Sequence, residues 1–167
     1  MRIYTSRYQN KALAEVPAVK LGISVGGPRF RIDYPVVRLS DLAPRFPMLK
    51  LRGEEFRREY RAYLHRLTAS RIVQLLEQLS HDNGDSDLVL LCFEDVNAGM
   101  LCHRRYLAEF LRAEAGLEIP ELPTAPSETK PEQTSNLSLP IAVLAGTGSM
   151  MASGADGRYP REPCGLI

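Results

Sequence analysis

The segment DLVLLCFE, from Asp87 to Glu94, constrains the fold more than any other part of the chain. Its centre is an unbroken apolar run, so a strand formed here carries apolar side chains on both of its faces. Such a strand has to be covered on both sides, as in parallel sheets that lie between other layers. The segment therefore predicts the central strand of an α/β fold.

The remaining elements alternate between strands and helices. Two β-rich segments come first, RIYT at Arg2 to Thr5 and VKLGISV at Val19 to Val25. Apolar residues at helical spacing predict a helix from Gly53, a second one capped by Thr68, and a third that runs from Cys102 to a stop at Gly116. This order predicts a Rossmann-like, three-layer α/β fold with a mostly parallel sheet.

The composition changes near residue 120. LEIPEL, at 117–122, predicts a short edge strand, and the following PTAPSETKPEQTSN is rich in proline, serine and threonine. We therefore expect an α/β domain over residues 1–120 and a disordered, low-complexity tail over 121–167. Within the tail, LPIAVLAG at Leu139 to Gly146 is left open as an added strand or a docking segment. A length of 167 residues suits one domain with a tail.

Composition also excludes several classes of protein. No apolar run approaches the roughly 20 residues that a membrane span needs, so an integral membrane protein is not expected. The N-terminus lacks the apolar stretch of a secretory signal. Three cysteines cannot form a disulfide framework, which agrees with a reducing compartment. The sequence predicts a cytoplasmic protein and leaves its oligomeric state open.

The charges are distributed unevenly along the chain. Residues 1–71 hold 15 lysines and arginines against 6 acidic residues, a net charge of +9, whereas residues 72–119 hold 3 against 9, a net charge of −6. The basic front half could face an anion. Base composition of the genome could also account for the excess of arginine, and the sequence does not decide between the two.

Reactive side chains are concentrated in LLCFEDVNAGMLCHRR, from Leu90 to Arg105. A strand, a short loop and a helix would place Cys92 and Glu94 at the carboxyl end of the central strand. Cys102, His103 and Arg104 would then lie in the first turn of the next helix. The carboxyl edge is where open α/β sheets bind ligands, and a helix start favours anions.

Three interpretations of this stretch compete. In the first, the helix start and Arg104 bind an anionic substrate, while Glu94, His103 or Cys102 serves as acid, base or nucleophile. In the second, Cys92, Cys102 and His103 hold zinc; this ranks lower because the spacing is unusual and adjacent residues on a helix rarely chelate one ion. In the third, Cys92 is a buried hydrophobe and the charges are solvated.

The chain resembles the small DUF488 type of protein, a family found in bacteria and their phages. The resemblance spans residues 1–120 through IYTSRY, ISVGGPRF, LAPRFPMLK, EEFRREYRAYL, LLCFED and CHRRYLAEFL. Its signature pairs Cys-x-Glu at a strand end with Cys-His-Arg at a helix start, here Cys92, Glu94, Cys102, His103 and Arg104. The resemblance implies a Rossmann-like α/β domain and no particular reaction. The loop DVNAGML carries less charge than in related sequences, and the tail has no counterpart.

Two hypotheses follow for function. The first is an enzyme with Glu94, Cys102 and His103 as catalytic residues and an anionic substrate, a nucleotide or nucleic acid, at the carboxyl edge. Further binding residues would come from the ends of two strands and from the helix start. They are Thr5, Ser6, Arg7, Gly26, Gly27, Arg29 and Arg104. The alternative is a non-catalytic module that binds nucleic acid or protein through its basic front half. The cofactor is left open, with zinc ranked low.

Overall fold

The computed structural model describes residues 1–124 and shows a mixed α/β fold. All four strands of its sheet are parallel, and their spatial order is β1, β4, β2, β3. The predicted parallel sheet is therefore confirmed. The strands are β1 (Ile3–Arg7), β2 (Ala18–Gly22), β3 (Val37–Arg38) and β4 (Asp87–Cys92).

The apolar segment that dominates the sequence forms β4, which lies between β1 and β2. Leu88 and Leu90 pack into the larger core, and Val89 and Leu91 point to the opposite face, because successive side chains of a strand alternate. All four side chains are fully buried. Burial on both faces is the reason that this strand carries no polar residue at its centre.

Three helices build the larger core. They are α1 (Gly53–Leu67), α2 (Ala69–His81) and α3 (His103–Ala115), and their apolar faces pack against one face of the sheet. Thr68 separates the first two: it has a φ of +63°, ends α1, and accepts a hydrogen bond from the backbone N–H of Arg71 to cap α2. The predicted cap is confirmed, and the turn keeps both helices on the same face.

The other face of the sheet is covered by irregular structure. A 3₁₀ turn at Lys11–Ala14 contributes Leu13, which packs with Tyr8, Val89 and Leu91. Tyr34 and Val36, from the connection that follows β2, complete this smaller core. The third layer is thus made of a short turn and loops.

Element ends differ from the sequence predictions. The first strand continues to Arg7, so Thr5 and Ser6 belong to it. The second ends at Gly22, although Ile23 still donates to the carbonyl of Leu91, and beyond it the Ser24 hydroxyl donates to the carbonyl of Gly26 in a local turn. The predicted edge strand is reduced to one bridge between Thr5 and Glu121, since Pro120 has no N–H to donate.

The predicted tail lies almost entirely outside the described residues, and so do Leu139 to Gly146 and Cys164. Residues 121–124 are described, and the backbone of Leu122 donates to the carbonyl of Thr5 over 2.8 Å. Among residues 1–124, no helix combines the length and the apolar character needed to cross a membrane.

Candidate functional site

The site begins where the central strand ends. Cys92 is the last residue of β4, and its Sγ lies 3.0 Å from Oε2 of Glu94, two residues further on. Asp95 then accepts hydrogen bonds from the backbone N–H groups of Asn97 and Ala98 and so starts a 3₁₀ turn. Gly99, with a φ of +80°, reverses the chain toward α3. The loop therefore returns the chain to the strand end it has just left.

Two adjacent residues at the start of α3 complete the site. Cys102 precedes the helix with extended backbone, φ −142°, whereas His103 is its first helical residue. Because the backbone changes conformation between them, both side chains reach the same point. The Sγ of Cys102 lies 3.0 Å from Oε2 of Glu94, so one carboxylate oxygen accepts from both thiols. We call Cys92, Glu94, Cys102 and His103 the cysteine cluster.

The imidazole of His103 is oriented by the neighbouring strand. Its Nε2 lies 2.9 Å from the carbonyl oxygen of Ile23, which can only accept, so Nε2 donates. The other ring nitrogen, Nδ1, faces the sulfurs of Cys92 and Cys102, at 3.7 and 3.9 Å. Burial acts to lower the pKa of His103, but the hydrogen bond with Cys102 outweighs it and raises that pKa. The ring edge packs on Tyr60, with centroids 5.4 Å apart. The imidazole is thus fixed on two sides.

Burial and hydrogen bonding shift the ionisation of the cluster. Burial raises the pKa of Cys92 well above its usual range. Burial also acts to raise the pKa of Cys102, but hydrogen bonds with Cys92 and His103 outweigh it and bring that pKa to about 6. Burial opposes the charge of Glu94, yet the two thiol hydrogen bonds lower its pKa. Of the two thiols, Cys102 ionises first.

The cluster has the composition of a transition-metal site. One donor atom from each of Cys92, Cys102 and His103 lies within 4.8 Å of the other two. Tetrahedral zinc, with Zn–S of about 2.3 Å and Zn–N of about 2.0 Å, requires sulfur and nitrogen about 3.5 Å apart. The observed 3.7 and 3.9 Å are close to this value. The hydrogen bond from Nε2 to a carbonyl is the usual support of a metal-binding histidine.

Arg104 lies behind the cluster and is fully buried. Its Nη1 donates to the carbonyl oxygen of Glu94 over 2.7 Å and contacts Sγ of Cys102 at 3.4 Å. Its Nε and Nη2 donate to the two carboxylate oxygens of Glu121, at 3.1 and 2.8 Å. The guanidinium that was predicted to hold an anionic substrate is therefore occupied by the protein itself.

The predicted binding residues of the first strand have partners of their own. Thr5 donates to Glu121 over 2.7 Å, and Ser6 accepts from Asn10 over 3.0 Å. Arg7, which pairs with Cys92 in the sheet, forms an ion pair with Asp95. Its Nε is buried and has no hydrogen-bond partner within residues 1–124.

The predicted binding residues after the second strand, Gly26, Gly27 and Arg29, are exposed. Neither glycine has a positive φ, and no atom lies within 4 Å of a Cβ built on either. Nothing in the described residues therefore demands glycine here. The residue from this region that does touch the cluster is Ile23, through its carbonyl oxygen.

One member of the site, Glu121, was missed by sequence reasoning, whereas Cys92 was left open between a zinc ligand and a buried hydrophobe. Glu121 was placed in the tail, and no local pattern identifies it, because its role depends on a buried partner 17 positions earlier. Cys92, Glu94, Cys102 and His103 do meet, as the sequence order of strand and helix suggested.

Fold and site define an α/β protein with a buried cluster of thiols, carboxylate and imidazole at the carboxyl edge of a parallel sheet. The chain belongs to the DUF488 family, described as "Domain of unknown function DUF488", whose model matches residues 28–111. The matched range includes α1, α2, β4 and the whole cysteine cluster, and it leaves out β1 and β2. No curated protein and no solved structure matches the chain.

Proposed function

We propose that the chain is a metal-dependent enzyme in which Cys92, Cys102 and His103 bind a divalent transition-metal ion at the carboxyl edge of the sheet. The observation that carries the proposal is the convergence of two sulfurs and one oriented imidazole nitrogen on a single buried point. Thiolates and imidazole are ligands that suit zinc, which makes zinc the expected ion.

The two objections raised by the sequence do not hold for this geometry. Cys102 and His103 are adjacent but do not both lie on the helix, since Cys102 has extended backbone. The unusual spacing from Cys92 arises because the first ligand ends a strand and the others start the following helix. A strand end and a helix start meet at one edge of the sheet, so ligands separated by a loop come together.

We assign Glu94 to the fourth position of the site on its distance to the two sulfurs. Its Oε2 lies 3.0 Å from both, and a retreat of about 0.5 Å would give the sulfur–oxygen spacing of a tetrahedral zinc site. Of the four side chains it alone keeps partial exposure. With an ion bound, displacement of this carboxylate would open a position for a substrate or a water molecule, and the freed carboxylate would be available to take up a proton.

The substrate we propose is anionic. A divalent ion with an opened fourth position attracts an anionic oxygen, and Arg7 at the end of the adjacent strand has a buried Nε without a partner in the described chain. This keeps Glu94 as a proton-transfer residue, as in the sequence hypothesis, but makes both Cys102 and His103 ligands. Two reduced thiols also suit the cytoplasmic location that the sequence predicts.

Metal analysis of the purified full-length protein tests the ligand set. We expect about one zinc or cobalt ion per chain, and for cobalt the near-ultraviolet absorption of thiolate bound to Co(II). Cys92→Ser and Cys102→Ser should lose that absorption, because each removes one sulfur ligand. Cys164→Ser is the matched control and should retain it. A wild-type protein that binds neither ion refutes the proposal and returns Cys102 to the role of nucleophile.

Inorganic phosphate tests the anionic substrate. Added to the Co(II) protein, it should change the visible spectrum if an anion can displace Glu94 from the ion. Glu94→Gln, a weaker ligand of the same size, should respond at lower phosphate concentration. A spectrum that stays unchanged at high phosphate in both proteins would argue for a closed, structural metal site.

The groove between α1 and α3 favours the alternative of a nucleic-acid-binding module. Arg57, Arg61 and Arg112 line this groove, which has a volume of about 360 Å³. If it binds a phosphate backbone, affinity for a labelled single-stranded oligonucleotide should fall steeply with salt. Arg61→Ala should weaken that binding, whereas Arg31→Ala, in a loop outside the groove, should not.

A further inference from the structure

A fully buried arginine connects the cysteine cluster to a distant carboxylate. Arg104 is inaccessible to solvent, and a buried guanidinium is tolerated only when its donors are paired. One edge of its fork reaches Cys102 and the carbonyl of Glu94. The other edge forms a two-bond ion pair with Glu121. A single planar group therefore links the cluster to residue 121.

Glu121 is held in turn by the edge strand of the sheet. The hydroxyl of Thr5 donates to its Oε2 over 2.7 Å. The backbone of Thr5 also bonds to the two neighbours of Glu121. Its N–H donates to the carbonyl of Pro120 over 2.9 Å, and its carbonyl accepts from the N–H of Leu122 over 2.8 Å. The docking of segment 120–122 beside β1 thereby fixes the carboxylate that orients Arg104.

Building on the metal centre proposed above, we propose that Arg104 and Glu121 are positioning residues of that centre, so that docking of segment 120–122 sets the metal affinity. The guanidinium, whose own charge is balanced by Glu121, places Sγ of Cys102 through a charge-assisted hydrogen bond. Outer partners of this kind commonly change metal affinity by about 10–100-fold.

The role of Glu121 is to hold the fork in one orientation. Without its carboxylate, the Nε and Nη2 donors of Arg104 would lose both partners. The guanidinium would then turn toward other acceptors, and the contact with Cys102 would weaken. Metal affinity should therefore depend on Glu121, which acts on Cys102 through the side chain of Arg104.

The test compares Glu121→Gln with Glu118→Gln, which removes the same charge from an exposed side chain just before that segment. Zinc affinity is measured by competition with a chromophoric chelator. We expect Glu121→Gln to bind zinc about 10–100-fold more weakly at an unchanged stoichiometry, and Glu118→Gln to match the wild type. In the Co(II) protein, Glu121→Gln should shift the thiolate charge-transfer band to lower energy, because the sulfur loses a hydrogen-bond donor.

Thr5→Val provides a second variant in case Glu121→Gln does not fold. It removes one hydrogen bond to Glu121 without changing the charge. It should weaken zinc binding and shift the Co(II) charge-transfer band to lower energy, both by less than Glu121→Gln does. Wild-type affinity in both variants, or weaker binding with an unshifted band, would overturn this inference while leaving the metal centre intact. A wild-type protein that binds no metal would instead overturn the proposed function.

Discussion

The cysteine cluster and a set of tyrosine hydroxyls both place polar atoms inside the protein, but the two regions provide hydrogen-bond partners for these atoms in different ways. Four tyrosine hydroxyls each have an oxygen partner at 2.6 to 2.9 Å: Tyr8 with Ser24, Tyr34 with the carbonyl of Tyr8, Tyr60 with that of Leu42, and Tyr63 with that of Asp41. In the cluster, both thiols lie 3.0 Å from the same carboxylate oxygen of Glu94 and 3.7 or 3.9 Å from the same ring nitrogen of His103.

The difference is between polar groups that have one partner each and polar groups that share their partners. A hydroxyl with its own acceptor is satisfied in the folded protein and needs nothing further. In the cluster, the metal centre proposed above would take the two thiols and the imidazole as its ligands. The predictions below therefore contrast losses at the cluster, which should appear in metal binding, with losses at the tyrosines, which should appear in stability alone.

Metal removal should have the largest effect. At a free metal concentration about 1,000 times the Kd, binding to the folded state raises the free energy of unfolding by about 4 kcal/mol. Urea denaturation with zinc and with a chelator should show this difference in the wild type and in Cys164→Ser. Cys102→Ser should show none. Equal free energies of unfolding with and without zinc in the wild type would contradict metal binding by the cysteine cluster.

Gly22→Ala should lower the free energy of unfolding by about 3 kcal/mol, the upper part of the range for overpacking, because it disturbs the packing around Tyr8. A Cβ at this position would lie 2.6 Å from the hydroxyl oxygen of Tyr8 and 3.2 Å from Val36. Chemical denaturation of the metal-free protein measures the loss.

Two further variants sharpen this test. Gly27→Ala, with open space around its Cβ, should stay within about 0.5 kcal/mol of the wild type. The double variant Gly22→Ala, Tyr8→Phe should regain part of the loss, because the hydroxyl that meets the new Cβ is gone. Additive losses in the double variant would contradict the steric explanation.

Tyr60→Phe should reduce stability by about 1–2 kcal/mol, since the carbonyl of Leu42 loses its buried donor. The ring that packs on His103 remains, so zinc affinity should not change. Denaturation and chelator competition on the same variant measure the two quantities. A clear loss of affinity would show that the hydroxyl belongs to the site rather than to the fold.

High pH should have the smallest effect. Burial raises the pKa of Tyr34 to about 12, above the value near 10 of an unfolded tyrosine. The folded state therefore holds its proton more tightly, and the resulting stability is complete below pH 10 and lost as pH rises toward 12. Tyr34→Phe should show a weaker decline of the urea midpoint over this range. Identical declines in both proteins would contradict a stabilising role for this proton.

Local sequence patterns predicted the main elements correctly. The apolar run Asp87–Cys92 forms the central strand, since complete burial on both faces leaves a pattern that the residues themselves display. Thr68 and Gly116 end or begin helices as expected, because a capping side chain and a left-handed backbone act within a few residues. Strand ends differed from the prediction, and β2 ends at Gly22, just before a local turn formed by Ser24 and Gly26.

The sequence by itself determined the parallel α/β fold and the grouping of Cys92, Glu94, Cys102 and His103 near one strand end, because periodicity and chain order are local. Only the tertiary structure decided that Arg104 faces inward rather than toward a substrate. It also decided that Ile23 orients the imidazole and that Glu121 holds the arginine. These contacts join positions separated by 17 to 80 residues, and such pairings arise from packing, which no local pattern records.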